Sequence, residues 1–594
     1  MNPVKNIISN GIRHLPFIIL IFVIGIYLGA KAIPENSWDG WKASGLTLGS
    51  AQTLLSNKHW VNDGFLKNYL LFIPSGYSKV VRYFDEPELR QHAHGTISGG
   101  LIGQRLYYTH YPPGYLLPTA LLMKLGVETR FWFRFLEILF SLGGLVFLYW
   151  FFNMIAGRLI AFLGTLFYAI SIVFLDFADS LANQPIDDLL RLAVIALSVF
   201  AIKSGKKNFN YLVWALYFVL SFSSYDSTFF VFAWLVGLDL IIERKFRWKK
   251  WFLWAMAPIL AFGLQILQNV SYLGWYDMLL DFYGVFNVQF LGAKNSDLRL
   301  GGSRNSFFIS HIIRFFEPFG GFFGIHWYLD ALTAPGHILS YGFFERICST
   351  VKLNAKYLLM IKWSLDTLVV LGGILSFWFV EKVYKPIKIN TNMKYLILMI
   401  SAAIFSFLFF PPLFLYQSRM LTAFGSFLIA GLTVMTIKIL YARKNLKLNS
   451  KILISAILLI TLGLWLVQIA RTYNYLEHWP DTNTWPIAKI EFDKKIKNLL
   501  PGDRVVFEMF YPSSGISPVD EYYMGNLILN FTTINDLVRD LIYLKKRSEF
   551  PFGSIIITDK KETSEEIRTS LTQKLNKKIS STKLDGKFIL IIPE

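Results

Sequence analysis

The chain has 594 residues, of which 54% are hydrophobic and only 17% charged, whereas about a quarter of the residues in a soluble domain carry charge. Its apolar residues fall in long runs instead of period-2 or period-3.6 patterns, which excludes an ordinary soluble enzyme. The formal net charge of +19 sits largely in short loops between those runs, where it reads as a topology signal and an attraction to anionic lipid, with no nucleic-acid partner expected.

The first apolar run, Leu15–Ile33, follows Lys5, Arg13 and His14. It is long enough for a bilayer core of roughly 30 Å. The small residues of Gly29-Ala30-Lys31-Ala32 also fit a signal-peptide end, but the length favours an uncleaved helix. Pro34 to Pro113 is too long and polar to cross. Tyr115–Leu125 is apolar but short, and reads as a helix lying at the interface. Further runs follow at Phe131–Ile155, Leu159–Asp176, Asp188–Ile202, Tyr211–Ser223, Tyr225–Ile242, Trp251–Tyr272, Tyr357–Val380, Tyr395–Phe410, Leu413–Leu440 and Ile452–Ala470. With Tyr211–Ile242 read as a hairpin broken at Ser223–Ser227, about 11 crossings result.

Charge supports this count. A cytoplasmic N-terminus puts Gly157–Arg158, Lys203–Lys207, Arg244–Lys250, Glu381–Lys394 and Arg443–Lys451 inside, and four of these five segments are dense in Lys and Arg, as orientation demands. The outer segments then hold Asp39, Asp85, Asp176 to Asp188, Asp226 and Asp277 to Asp330. After Ala470 the composition turns mixed and charged. Arg504–Phe510 and Ser554–Thr558 read as strands, Asp536–Lys546 and Glu562–Lys578 as helices, and Asp585-Gly586 as a hairpin turn. The single cysteine, Cys348, excludes a disulfide framework and reads as an inert thiol.

The expected architecture is thus an α-helical polytopic protein of the cell membrane. Residues 1–470 form its transmembrane domain, with outer loops at 34–130, 177–187 and 273–356, and residues 471–594 form a small extracytoplasmic α/β domain.

Ionisable residues on the outer side are the informative ones. In Asn36-Ser37-Trp38-Asp39-Gly40-Trp41, a carboxylate stands just beyond a membrane helix between two Trp. Such a group suits a general base acting on an acceptor, and suits equally an N-cap for a following helix. The run from Asp85 to His94 brings Glu86, Glu88, His92 and His94 close together, a set that either binds a divalent cation or is solvated. Tyr108 to Tyr115, with His110 and Tyr111 before Pro112-Pro113, makes a rigid aromatic corner, able to stack on a sugar or to anchor an interfacial helix. Asp176, Asp179, Asn183, Asp187, Asp188 and Arg191 follow. Asp187 and Asp188 open a membrane helix, whose positive end favours carboxylates. Finally, Arg419 in Tyr416-Gln417-Ser418-Arg419 breaks the inside bias of cations. Its guanidinium matches phosphate oxygens in a fork, and snorkelling to headgroups is the plainer alternative.

In this order the elements resemble the GT-C superfamily of integral membrane glycosyltransferases, nearest the protein O-mannosyltransferase and aminoarabinose-transferase branch. The resemblance is carried by helix one followed by Asp39, the Tyr111-Pro112-Pro113-Gly114-Tyr115 corner, the Gly126-to-Arg134 segment, the acidic second outer loop, and Arg419 before a long late helix. It implies that Asp39 is the catalytic base, that Asp187 or Asp188 is a second acidic site, and that the donor is a sugar on a polyprenyl phosphate whose charge Arg419 meets. Trp38, His110, Tyr111 and Tyr416 are the accompanying substrate-binding candidates. Some members hold a divalent metal through an outer-loop Glu and His, for which Glu86, Glu88, His92 and His94 are the candidates; no organic cofactor is expected. Gly40 stands where many members carry a second acid. The acceptor is a lipid, a glycan or a protein. A lipid or sugar transporter or flippase is the competing reading, although no internal repeat of the kind transporters often carry is visible; a membrane-anchored interaction protein is the other.

Overall fold

The structure, a computed structural model, describes residues 14–34, 37, 47–73, 96–97, 106–107, 109, 111–206, 208–225, 227–290, 392, 394–399, 401–402, 430–431, 433–434, 437, 469, 472–473, 476, 487–500, 504–509, 523–524, 527–531, 533–546, 553–576 and 578–592.

Helix α1, Leu15–Ala32, starts with a proline in its first turn, where the ring costs no helical hydrogen bond. Phe17, Leu20, Ile24 and Leu28 are buried, while Ile18, Ile19, Phe22, Val23 and Ile26 are exposed. A helix apolar on both its packed and its open face belongs in lipid. Helix α2, Thr47–Asp63, lies within the polar stretch. The strands β1, Thr96–Ile97, and β2, Leu106–Tyr107, pair antiparallel. The short helix α3, Leu117–Lys124, occupies the stretch read as interfacial. Helix α4, Arg130–Ala156, is the next long apolar helix. It is followed by α5, Arg158–Ala169, and α6, Ile172–Phe177. The sequence reads these two as one crossing, but Ser171 adopts an extended backbone and its hydroxyl caps α6 by accepting from the Phe174 amide at 3.2 Å.

Helix α7, Gln184–Ser204, is buried nearly all round, from Leu190 to Val199, and is the centre of the bundle. It lies against α4, where Gly143 and Gly144 let its first turn approach: a Cβ on Gly143 would stand 3.0 Å from Leu189, the use of small residues common between membrane helices. Helices α8, Asn208–Ser223, and α9, Thr228–Gly237, form the expected hairpin, and α9 runs on as a π turn, Leu238–Ile242. Helix α10, Trp248–Phe290, is interrupted at Gly274, whose φ is 78°. One helix ends at Gly274 and a second follows directly, so the outer loop expected from residue 273 begins as helix, with glycine supplying the positive φ of the break. Three of the described helical segments, Leu15–Ala32, Arg130–Ala156 and Trp248–Leu279, are long and apolar enough to span a bilayer. The four expected crossings from Tyr357 to Ala470 lie outside the described residues apart from scattered positions.

The polar groups sort to two ends of the bundle. At one, His14 before α1 meets the Tyr149 hydroxyl near the end of α4 at 2.7 Å. Lys203 at the end of α7 bonds the Met154 carbonyl of α4, and Lys250 pairs with Asp239 at 2.8 Å. At the other end lie the last turn of α1, the first turns of α4 and α7, the α6–α7 loop, the α8–α9 turn and the Tyr111 corner.

Glycine is required at that corner. A Cβ on Gly114 would meet the Phe222 carbonyl oxygen of α8 at 2.5 Å and its carbon at 2.9 Å. Gly114→Ala is expected to lower the melting temperature through roughly 1–3 kcal/mol of overpacking. Gly263→Ala, in open space within α10, is the matched control and leaves the melting temperature unlowered.

Near the C-terminus, helix α11, Ile487–Leu499, precedes a five-stranded sheet. Its strands are β3, Val505–Met509, β4, Leu527–Phe531, β5, Ile555–Thr558, β6, Ser580–Leu584, and β7, Lys587–Ile591, in the order β4-β3-β5-β7-β6. The first three are parallel, and β7 and β6 add antiparallel. The runs Val-Val-Phe and Ile-Ile-Ile are buried on both faces, as inner parallel strands must be. Val505 and Phe507 pack with α12, Ile534–Lys546, and α13, Lys561–Leu575, while Val506 packs with Phe492 and Ile496 of α11. Asp585 and Gly586, with φ of 48° and 84°, close the β6–β7 hairpin as a type I′ turn does.

Candidate active site

The site is built where α1 ends and where α4 and α7 begin. Lys31 lies in the last turn of α1 and Arg134 in the second turn of α4, and both converge on Asp179 in the α6–α7 loop. The Lys31 ammonium donates to Asp179 Oδ1 at 2.8 Å and to the Leu175 carbonyl at 2.9 Å. The Arg134 guanidinium pairs with Asp179 Oδ2, and both of those side chains are 0% exposed. Ser141 of α4 donates to the Ala178 carbonyl at 2.8 Å and fixes the loop beside the acid. Burial alone would push the Asp179 carboxyl up, but Arg134 and Lys31 outweigh it and hold the group below the usual carboxylate range.

The same arginine reaches the start of the first outer loop. Arg134 Nη1 donates to the Ser37 carbonyl at 3.0 Å and to its hydroxyl at 3.2 Å. Ser37 Oγ in turn donates to the Lys31 carbonyl at 2.8 Å. Arg130, one turn earlier on α4, donates from Nη2 to the Ser37 carbonyl at 2.7 Å and the Pro34 carbonyl at 3.1 Å. Its Nη1 donates to the Tyr523 phenolic oxygen at 3.2 Å. Two guanidinium groups therefore hold the buried residue two positions before Asp39.

Asp187 stands in the first turn of α7 and Asp188 directly after it, on the same end. Asp187 Oδ2 accepts from Ser227 Oγ at 2.5 Å and from Arg191 at 3.5 Å. Asp188 pairs with Arg191 and accepts from the Tyr168 hydroxyl at 2.5 Å. The Asp188 side chain is 17% exposed and that of Asp187 7%, so Asp188 is the more open of the two. Beside them, the Asn183 amide donates to the Tyr111 hydroxyl and to Ser224 Oγ at 3.1 Å. The Tyr111 ring lies 5.8 Å from that of Tyr225 and 6.1 Å from that of Tyr115.

Tyr111, Asp187 and Asp188 are thus gathered on one end. Trp38, Asp39, Glu86, Glu88, His92, His94, His110, Tyr416 and Arg419 lie outside the described residues. Lys31, Arg130 and Arg134 were not singled out as site residues from the sequence. The available signal was the one that picked out Arg419: a cation at the outer end of a membrane segment needs a partner or a task. Among the described residues, no group of three metal-ligating side chains forms, and Asp179, Asp187 and Asp188 already face cations. These three acids, each already facing a cation, do not fit a metal.

No family model and no curated protein matches the chain. Among solved structures, it is similar to the oligosaccharyltransferase AglB from Archaeoglobus fulgidus in complex with an inhibitory peptide and a dolichol-phosphate. That likeness has a TM-score of 0.43 and 11% identity, over 91% of this chain and 69% of that one. It is also similar to ArnT from Cupriavidus metallidurans in the apo state, with TM-score 0.42 and 11% identity over 97% of each chain. The same enzyme bound to undecaprenyl phosphate aligns with TM-score 0.36 and 12% identity, over 91% of this chain and 97% of that one.

Proposed function

We propose that this chain is a membrane glycosyltransferase that moves a sugar from a polyprenyl-phosphate donor to an acceptor on the extracytoplasmic face. The observation that carries the reading is the convergence on Ser37. Ser37, two positions before Asp39 in the chain, is held by Arg130 and by Arg134, and Arg134 also pairs with Asp179. A base must be held within hydrogen-bond reach of the proton it takes, and a tethered segment on a rigid bundle end supplies such a hold.

In the reaction, the acceptor oxygen or nitrogen attacks the anomeric carbon while Asp39 takes its proton. The bond from that carbon to the phosphate oxygen breaks, and its electron pair leaves with the polyprenyl phosphate. Arg419 meets that charge, and attack opposite the leaving group inverts the anomeric centre. Asp188, more open than Asp187, is the second acid that faces the donor. The bundle end bearing Asp39 is extracytoplasmic and the N-terminus cytoplasmic.

The test feeds purified protein a radiolabelled polyprenyl-phosphate sugar together with lipid and peptide acceptors, and follows label leaving the donor. Transfer with release of polyprenyl phosphate is the expected result. If label crosses a sealed vesicle with its sugar–phosphate bond intact and no transfer, the protein is a transporter instead.

A further inference from the structure

We propose that the turn between α9 and α10 is a binding site for an anionic phospholipid, whose headgroup phosphate is met by Arg244, Lys245 and Lys249 at the end of the bundle that bears His14 and Lys203. The site stands apart from the glycosyltransferase reading and holds with or without it.

Arg244, Lys245, Arg247, Lys249 and Lys250 follow one another closely here, and the fold sorts these cations into two kinds. Arg247 and Lys250 are engaged within the turn. Arg247 grips Glu243 in a fork, donating to Oε2 at 2.8 Å and to Oε1 at 3.0 Å. Lys250 donates to Asp239 Oδ1 at 2.8 Å, and the Trp251 indole donates to Oδ2 at 3.1 Å. The Asp239 side chain is fully buried, so these two acids meet two of the cations inside the turn. The same stretch fixes its own backbone. The Lys245 amide donates to the Asp239 carbonyl at 2.8 Å and the Glu243 amide to the Leu238 carbonyl at 3.0 Å. Between them Arg244 takes a left-handed φ of 54°, uncommon for a residue other than glycine. Arg244, Lys245 and Lys249 remain. All three are exposed, and among the described residues none has an acidic partner; the acids of the turn pair with Arg247 and Lys250.

The rings among these cations set the depth and the partner. Phe246 is 75% and Trp248 60% exposed, and aromatic residues so placed at the end of a membrane helix lie at headgroup level. Phe246 is held edge-on against Trp251, with ring centroids 4.6 Å apart, and Lys249 Nζ lies 5.7 Å from the Trp248 ring, a cation–π contact. Phe252 and Leu253, next along α10, are exposed too and lead into the open apolar face at Ile259 and Leu260. Three cations without acids therefore stand at the level of lipid phosphates, on a backbone already ordered, so little entropy is lost when a headgroup binds. Lys203 at the same end differs, since its ammonium donates to the Met154 carbonyl and to Asn392 Oδ1. An acidic protein segment matches the charge, but only a lipid also covers the exposed rings with acyl chain.

Native mass spectrometry of the full-length, delipidated protein in detergent tests this, by following the first lipid bound as phosphatidylglycerol or phosphatidylcholine is titrated in. One Lys or Arg near a membrane surface strengthens the hold on anionic lipid by about 5-fold. Arg244→Asn combined with Lys245→Ser and Lys249→Ser is therefore expected to weaken the first phosphatidylglycerol by on the order of 100-fold and to leave phosphatidylcholine unchanged. Asn is used at 244 because it tolerates the left-handed backbone. Lys249→Ser alone, which leaves the backbone of the turn untouched, is expected to lose about 5-fold. An equal loss of charge at exposed positions of the C-terminal unit, Arg568→Ser with Lys574→Ser and Lys578→Ser, is expected to keep the first phosphatidylglycerol in place. Undiminished affinity in both the triple variant and Lys249→Ser overturns the site, and so does an equal loss in the control. Displacement of the lipid by inorganic phosphate at matched concentration, or tighter binding of a polyglutamate peptide than of phosphatidylglycerol, overturns it in favour of a free anion or an acidic protein partner.

Discussion

Asp39→Asn is expected to lower sugar transfer by about 10²- to 10⁴-fold, the range that a general base contributes, while the protein keeps its melting temperature and its affinity for polyprenyl phosphate. The amide fills the volume of the carboxylate and can still accept a hydrogen bond, so binding survives. It has no place for the acceptor's proton, so the attack loses its base. The measurement is steady-state transfer from a labelled donor, beside equilibrium binding of polyprenyl phosphate to the same preparation. Full activity at normal expression would remove Asp39 from the mechanism. Asp188→Asn provides a contrast. That side chain is already paired with Arg191 and Tyr168, so its replacement is expected to raise KM for the donor more than it lowers kcat.

The largest effect on stability is expected at Asp179. Its carboxylate is the common partner of two buried cations, Lys31 and Arg134. Asp179→Asn leaves both without their counter-charge, and breaking a buried pair by removing one partner costs about 3–5 kcal/mol. A melting curve in detergent should show the drop, and Arg134→Met combined with Asp179→Asn should cost less than the sum of the two single changes, because the double variant buries one cation fewer. Acid supplies a second readout. Asp179 is held below the usual carboxylate range by its two cations, so the folded state binds fewer protons there than the unfolded chain. The stabilisation is whole above the unfolded value of about 4 and is lost as pH falls through the lowered one. Asp179→Asn should therefore flatten part of the acid limb of the stability profile.

Local chemistry was legible from the residues alone. Run lengths marked α1, α4 and α10, and Ser223–Ser227 marked the turn between α8 and α9. Asp585-Gly586 marked the β6–β7 turn, where the backbone takes two positive φ angles. The readings missed where a local signal was subtle. Ser171 divides a run that hydropathy treats as continuous, since a hydroxyl cap changes composition by a single residue. A helix after Asp39 was expected, but the bounds of α2, Thr47–Asp63, were not legible, because its mixed composition carries little helical periodicity. Strand β4 was missed beside its partner β3, since a short apolar run bears no label of its own.

What the sequence determined by itself is therefore what can be written within a few neighbouring residues: membrane runs, caps, turns, the polarity of the loops, and the acids worth suspecting. Tertiary structure decided which charges meet. Lys31 and Asp179 are 148 positions apart, Arg134 and Ser37 97, and Arg130 and Tyr523 393. No periodicity encodes such pairs, because burying an ion is tolerable only when distant parts of the chain arrive together to neutralise it.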